Sequence, residues 1–157
     1  MTTLRAKVLT VSDGVVAGTR EDKSGAALQA RLVEAGYEVA ARAVTADGVD
    51  EVAAAIVELT AGFAGLVVTT GGTGFAPRDL TPEGTAAVLD RPAPGLAEAM
   101  RLVSPKGRLS RGTAGTRGGC IVLNLPGSER GSVECLDAVL DALPHALALL
   151  ADEPTQH

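Results

Sequence analysis

A chain of 157 residues with 46% hydrophobic and 21% charged side chains can bury one sizeable core and is too apolar to be disordered. Fourteen basic against nineteen acidic residues give a net charge of −5, which excludes the broad basic footprint of a nucleic-acid binder. Tyr37, Phe63 and Phe75 are the only aromatics, which argues against base-stacking platforms and leaves the core to Ala, Val, Leu and Ile.

Met1-Thr2-Thr3-Leu4 leads directly into a strand-like run, Arg5–Val11, with no signal-peptide pattern, so a cytoplasmic chain is expected. A polar loop, Ser12–Lys23, follows. Ser24 is placed to cap a helix with Leu28, Leu32 and Ala35 on one face, and Gly36 to end it. Tyr37–Val44 reads as the second strand. Asp47 stands at the start of an amphipathic helix carrying Val49, Val52, Ala53 and Ile56, which Gly62 stops. Gly65–Thr70 is a short apolar run ending in threonines, the pattern of a central parallel strand.

The Gly-rich loop Gly71–Leu80 comes next. Thr81 is placed to cap a helix with Pro82 at its first position. Gly95–Val103 predicts another short helix, Lys106–Gly119 a polar Gly-rich stretch, and Cys120–Leu125 a further buried strand. Pro126-Gly127-Ser128 turns into a final helical region that Pro144 breaks or restarts. Glu134, Asp137, Asp141, Pro144 and His145 interrupt this region, so it reads as a core helix pair and not a membrane span. No repeat or linker divides residues 1–157, which read as one α/β domain with a mostly parallel sheet. Cys120 and Cys135 sit in apolar stretches and read as buried free thiols. No Cys/His spacing suggests zinc, and His145 and His157 read as incidental.

In open α/β sheets ligands bind beyond the carboxyl ends of the strands. Four unusual segments fall at that edge: Ser12-Asp13-Gly14, the Asp47 turn, Gly71-Gly72-Thr73-Gly74 onward, and Asn124-Leu125-Pro126-Gly127-Ser128. The glycines allow backbone N–H groups to face a ligand, and Thr70 and Thr73 add hydroxyls. The helix beginning near Pro82 offers a positive dipole end suited to phosphate. Arg78 is a candidate for neutralising a phosphate, and Asp79 for holding Mg²⁺ or orienting a nucleophile. Standard nucleotide motifs are absent. Asp22 stands where a P-loop needs glycine in Gly18–Ser24, and Pro77 spoils a dinucleotide fingerprint in Gly72–Pro77.

Several segments carry a resemblance spanning essentially the whole chain. They are Val11-Ser12-Asp13, Asp22-Lys23-Ser24-Gly25, Thr69-Thr70-Gly71-Gly72-Thr73-Gly74 with Arg78-Asp79-Leu80-Thr81-Pro82-Glu83, Pro94-Gly95, Leu109-Ser110-Arg111 with Ala114-Gly115, and Asn124-Leu125-Pro126-Gly127-Ser128. Together they resemble the MogA/MoaB family of molybdenum cofactor biosynthesis proteins, which includes the matching domain of gephyrin. The resemblance implies a three-layer α/β/α domain with a mixed, mostly parallel sheet, commonly a homotrimer. It implies adenylylation of molybdopterin: the pterin's terminal phosphate attacks the α-phosphate of Mg-ATP, giving adenylyl-molybdopterin and pyrophosphate. It maps two essential aspartates onto Asp47 and Asp79, both expected to touch Mg²⁺. Ser12 and Asp13 are then expected at the nucleotide. Ser110 and Arg111 are expected at the pterin or its phosphate, and Asn124, Pro126, Gly127 and Ser128 at the pterin end. Thr81 and Glu83 complete the expected binding set.

Such a reaction joins two polyanions, so it needs charge neutralisation and positioning more than a general base. Molybdopterin and ATP are the expected partners, with other cofactor-biosynthesis proteins beside them and neither nucleic acid nor membrane. The family has a second, MoaB-type branch, so a non-catalytic molybdopterin-binding or scaffold protein is the alternative. Thr45-Ala46-Asp47 lacks the proline that often precedes this aspartate in the MogA branch, and Ser110-Arg111-Gly112-Thr113-Ala114-Gly115 resembles the MoaB branch, whereas Asp47 together with Asp79 favours catalysis.

Overall fold

Three strands lie side by side and parallel at the centre of a six-stranded sheet in the computed structural model, which describes residues 3–155. They are β1 (Arg5–Val11), β3 (Gly65–Thr70) and β6 (Cys120–Leu125). Parallel β2 (Glu38–Thr45) flanks β1 on the outside. On the other side β5 (Ala114–Arg117) returns antiparallel beside β6, and the two-residue β4 (Arg91–Pro92) completes the order β2-β1-β3-β6-β5-β4. The fold is thus α/β with a mixed, mostly parallel sheet, as expected. β3 and β6 are buried at every position, the consequence of covering both sheet faces.

Side chains alternate along each strand, which assigns the two faces. Ala6, Val8, Leu66, Val68, Leu123 and Leu125 pack on one side with Leu28 and Leu32 of α2 (Lys23–Glu34). α5 (Pro94–Arg101), α6 (Glu129–Asp137) and α7 (Leu143–Leu150) add Met100, Leu136 and Leu143 to that layer. Leu9, Val11, Val67 and Val122 face the opposite way, onto Val52, Ile56 and Leu59 of α3 (Val49–Thr60), and α4 (Thr81–Ala86) packs beside α3. Each buried aliphatic contributes about 1.5–3 kcal/mol, so two aliphatic layers sustain the fold with few rings. Tyr37 and Phe63 are buried, whereas Phe75 is 71% exposed.

Helix starts are where the structure departs most from expectation. Asp22, not Ser24, caps α2: its Oδ1 accepts from the Gly25 amide at 3.0 Å, and Ser24 sits inside the helix. Gly48, at φ +127°, is the N-cap of α3, so Asp47 is not a helix cap. Leu80 precedes α4 and Thr81 is its first residue; the Thr81 hydroxyl donates to the Gly71 carbonyl at 2.9 Å instead of capping. Ser12–Lys23 is not wholly loop, because Ser12 caps a one-turn helix, α1 (Asp13–Val16). The polar stretch Lys106–Gly119 hides β5 and most of a 3-10 turn, Pro105–Leu109. Pro144 lies in the first turn of α7 and restarts the chain there.

Cys120 and Cys135 are free thiols, and burial pushes both upward in pKa. Cys135 is only partly buried, unlike Cys120. No helix among the described residues is long and apolar enough to cross a membrane. His157 lies outside the described residues.

Candidate functional site

Parallel strands deliver their carboxyl ends to one rim, and β1, β2, β3 and β6 stop there at Val11, Thr45, Thr70 and Leu125. The segments that follow them enclose a cavity of about 910 Å³. Ser12, Asp47, Thr70, Gly71, Gly72, Thr73, Gly74, Asp79, Pro126, Gly127 and Ser128 all line it, joined by Ser110 from the end of the 3-10 turn.

The glycines are set by close approach. Gly71 takes φ +100°, and a Cβ there would strike the Val11 carbonyl. Gly72 takes φ +68°, and its Cβ would strike the Thr81 hydroxyl and stand 3.1 Å from Asp47 Oδ1. Only glycine relieves both constraints.

The acidic groups are tied together across three loops. The Asp13 amide donates to Asp47 Oδ2 at 3.0 Å, and the Asp47 amide donates to Asp13 Oδ1 at 3.1 Å. Arg78 Nε donates to Asp13 Oδ2 at 2.6 Å, while its Nη2 reaches Asp13 Oδ1 at 3.1 Å and the Asp47 carbonyl at 2.8 Å. The guanidinium holds the Asp13 carboxyl below the usual range. Burial pushes the Asp47 carboxyl up, and the charges of Asp13 and Asp79 add to that push. Asp79 is oriented by the Ala76 amide, which donates to its Oδ2 at 3.1 Å. Among the described residues no donor reaches Oδ1 of Asp47 or of Asp79, so each aspartate keeps one oxygen without a protein partner.

Six expected contacts do not line this cavity. Arg78 and Asp13 spend their charges on each other, so Arg78 is not a free phosphate cation. Arg111 braces the loop: Nε donates to the Gly74 carbonyl at 2.8 Å, Nη1 to Glu83 Oε2 at 2.6 Å, and Nη2 to the Asp79 carbonyl. Its guanidinium is directed at protein acceptors, and it holds the Glu83 carboxyl below the usual range. Asn124 is 2% exposed; its Nδ2 donates to the hydroxyls of Thr69 and Thr85, and its Oδ1 accepts from the Thr113 amide. Thr81 is fully buried on Gly71. Thr70 touches the cavity but is 1% exposed, and its hydroxyl is bonded to Ser24 Oγ and the Pro126 carbonyl.

Other lining residues escape a sequence reading. Asp22 borders the cavity while holding Thr10 Oγ1 and Arg42 Nη2, each at 2.9 Å. Arg20, Lys23 and Lys106 also line it, and among the described residues the side chains of these three make no hydrogen bond or ion pair. Lys23 could have been suspected from its place beside Asp22 and Ser24. Lys106 carries no comparable signal. A second cavity, of about 600 Å³, opens between α5, the 3-10 turn and α6; Met100, Arg101, Ser104, Asn124 and Cys135 help line it. Lys106, Ser110, Pro126 and Ser128 border both cavities.

Known proteins share this fold and much of this sequence. Residues 7–145 match the family model described as "Probable molybdopterin binding domain". A molybdopterin adenylyltransferase of Helicobacter pylori strain J99 is 38% identical, with 96% of this chain and 89% of the relative aligned. The crystal structure of the molybdopterin biosynthesis enzyme MoaB of Thermus thermophilus superposes with a TM-score of 0.89 at 45% identity, covering 98% of this chain and 99% of that one. The molybdopterin biosynthesis Mog protein of Mycobacterium ulcerans does so with a TM-score of 0.85 at 36% identity, covering 94% and 99%.

Proposed function

The chain belongs to the molybdopterin-binding domain family, and from that premise we propose that it is a nucleotidyltransferase of molybdenum cofactor biosynthesis, adenylylating molybdopterin with ATP. The observation that carries this reading is the pair of joined cavities. The larger one combines the amides of Gly72, Thr73 and Gly74 with the spare oxygens of Asp47 and Asp79, a lining suited to a nucleotide's phosphates. The smaller one has an apolar wall from Ala97, Met100 and Val103, suited to a pterin ring. Their shared border at Ser110, Pro126 and Ser128 is where the two phosphates would meet.

In the proposed step an oxygen of the pterin's terminal phosphate attacks the α-phosphorus of ATP. The bond to the β-phosphate breaks, and pyrophosphate leaves with the electron pair. The attacking phosphate is already ionised, so the chain need not supply a base. Its residues hold and align the two phosphates, which accounts for a lining of amides, hydroxyls, carboxylates and cations without histidine.

A magnesium ion fits the donor set. Asp47 and Asp79 each present one unspent carboxylate oxygen, and the upward push on Asp47 from Asp13 and Asp79 would be relieved by a cation. Among the described residues no three acidic, His or Cys groups cluster as a closed metal cage. An Mg²⁺ held by one or two carboxylates takes its remaining ligands from phosphate and water, and when bound it screens the phosphates. The family resemblance extends the reading to a cytoplasmic homotrimer built from one domain per chain; light scattering at micromolar concentration tests the assembly.

The deciding experiment is incubation with molybdopterin and Mg-ATP. Pyrophosphate release that Asp79→Asn abolishes supports adenylylation. Tight molybdopterin binding with no pyrophosphate would instead support a non-catalytic scaffold.

A further inference from the structure

We infer that Lys106 is a catalytic cation of this site, its ammonium contacting the phosphates where the two cavities meet. The inference rests on the adenylyltransferase reading and adds a residue to it.

Charge makes a cation necessary there. A phosphate dianion has to approach a tetra-anionic nucleotide, in a chain of net charge −5 and beside Asp47, Asp79, Asp22 and Glu129. The two arginines nearest in sequence to the Gly-rich motif and the Ser110 turn do not meet that need. Arg78 is bound to Asp13, and Arg111 to Glu83 and two carbonyls. Arg20, Lys23 and Lys106 remain. Arg20 and Lys23 line the larger cavity alone, whereas Lys106 lines both. Of these three, Lys106 alone is placed to neutralise attacking and attacked phosphates together.

The backbone under Lys106 is held in place. Gly107 packs so tightly on the Arg101 carbonyl that a Cβ would strike it, and the Gly107 amide donates to the Ser104 carbonyl at 2.9 Å. The Ser110 amide closes the turn onto the Gly107 carbonyl at 3.0 Å. Arg101 is itself tied down, its Nη1 donating to the Gly112 carbonyl at 2.7 Å. A short, braced turn thus presents a long side chain with no internal partner to the cavity border. Lysine suits this role as a point charge that follows a phosphate through the transfer, and charge built up between phosphates is what such a group stabilises.

The test compares Lys106→Met, Lys106→Arg and, as a control on the same turn, Arg108→Gln, which removes a charge that lines neither cavity. Single-turnover adenylylation by Lys106→Met should fall roughly 100-fold, with partial rescue by Lys106→Arg and none of the loss in Arg108→Gln. Calorimetry with inorganic pyrophosphate supplies a readout independent of turnover, and Lys106→Met should weaken that binding roughly 10-fold at low salt. Equal rates and equal pyrophosphate affinity in wild type and Lys106→Met would overturn the role of Lys106. A wild-type protein that binds pyrophosphate through Lys106 yet never adenylylates molybdopterin would overturn the adenylyltransferase reading and, with it, the catalytic role, leaving Lys106 an anion-binding residue.

Discussion

Asp13 and Asp47 lock each other in place, each carboxylate accepting the other's backbone amide, at 3.0 and 3.1 Å. The exchange joins the turn after β1 to the turn after β2, and Arg78 clamps it from the loop after β3. Asp47 thereby points one oxygen at Asp13 and leaves the other unspent. Arg78→Ala should therefore act on alignment and not on stability. The ion pair is largely exposed, so the melting temperature should stay close to wild type. Turnover should drop roughly tenfold, because Asp47 loses the clamp on its carbonyl and is held by Asp13 alone. Steady-state kinetics beside calorimetry checks both; an unchanged kcat would show that Asp47 needs no clamp.

Gly72 is the narrowest point of the Gly-rich loop. Gly72→Ala places a methyl group against Thr81 and near Asp47, at a φ of +68° that alanine disfavours. Loss of activity with a lowered melting temperature is the expected outcome. Gly95→Ala, at a glycine with open space around it, should show neither effect.

Asn124 holds β6 to β3, α4 and the segment before β5 from a site with 2% exposure. Asn124→Ala strands the Thr113 amide and removes a partner from Thr69 and Thr85. The cost should be about 1–3 kcal/mol in chemical denaturation. A destabilisation too small to measure would assign Asn124 to ligand binding instead of the fold.

The Glu83–Arg111 pair gives an acid-side signature. Arg111 holds the folded Glu83 carboxyl below its ordinary range. Above the ordinary range both folded and unfolded forms are ionised, and the pair stabilises in full. As pH falls the unfolded chain takes the proton first, and this stability drains away until the folded carboxyl is protonated too. With side chains 43% and 32% exposed, the pair contributes about 0.2–1 kcal/mol. Glu83→Gln should lie below wild type by that amount at neutral pH and converge with it in acid; parallel curves down to low pH would contradict the pairing.

The parallel core was legible because β3 and β6 are short, continuously buried runs and β1 turns apolar from Val8 onward. β4 and β5 were not, because two residues at one edge and a Gly-containing four-residue strand carry too little pattern. The glycines and Asp79 stood out by type and spacing, whereas the site role of Asp47 came from the family resemblance. What spacing could not give was the use of each polar group. Ser24 and Thr81 read as caps, yet their hydroxyls bond inside the fold. Asp47 also read as a cap, but glycine serves α3 and frees the carboxylate for the cleft. Arg78 and Arg111 read as phosphate ligands because motif arginines often are, and only the folded chain reveals the carboxylates facing them. Lys106, on a polar turn, gains significance only when two cavities meet beside it.

The cleft is assembled from turns that lie far apart along the chain, from Ser12 to Ser128, and no single stretch contains a working part of it. It therefore has no local precursor during folding: recognition can emerge only after the central strands have found one another. Substrate affinity and global cooperativity are for that reason coupled quantities. A saturating nucleotide or pterin should protect backbone amides against hydrogen exchange deep in β1, β3 and β6, well beyond the groups it touches, by adding its binding free energy to the opening of the whole sheet.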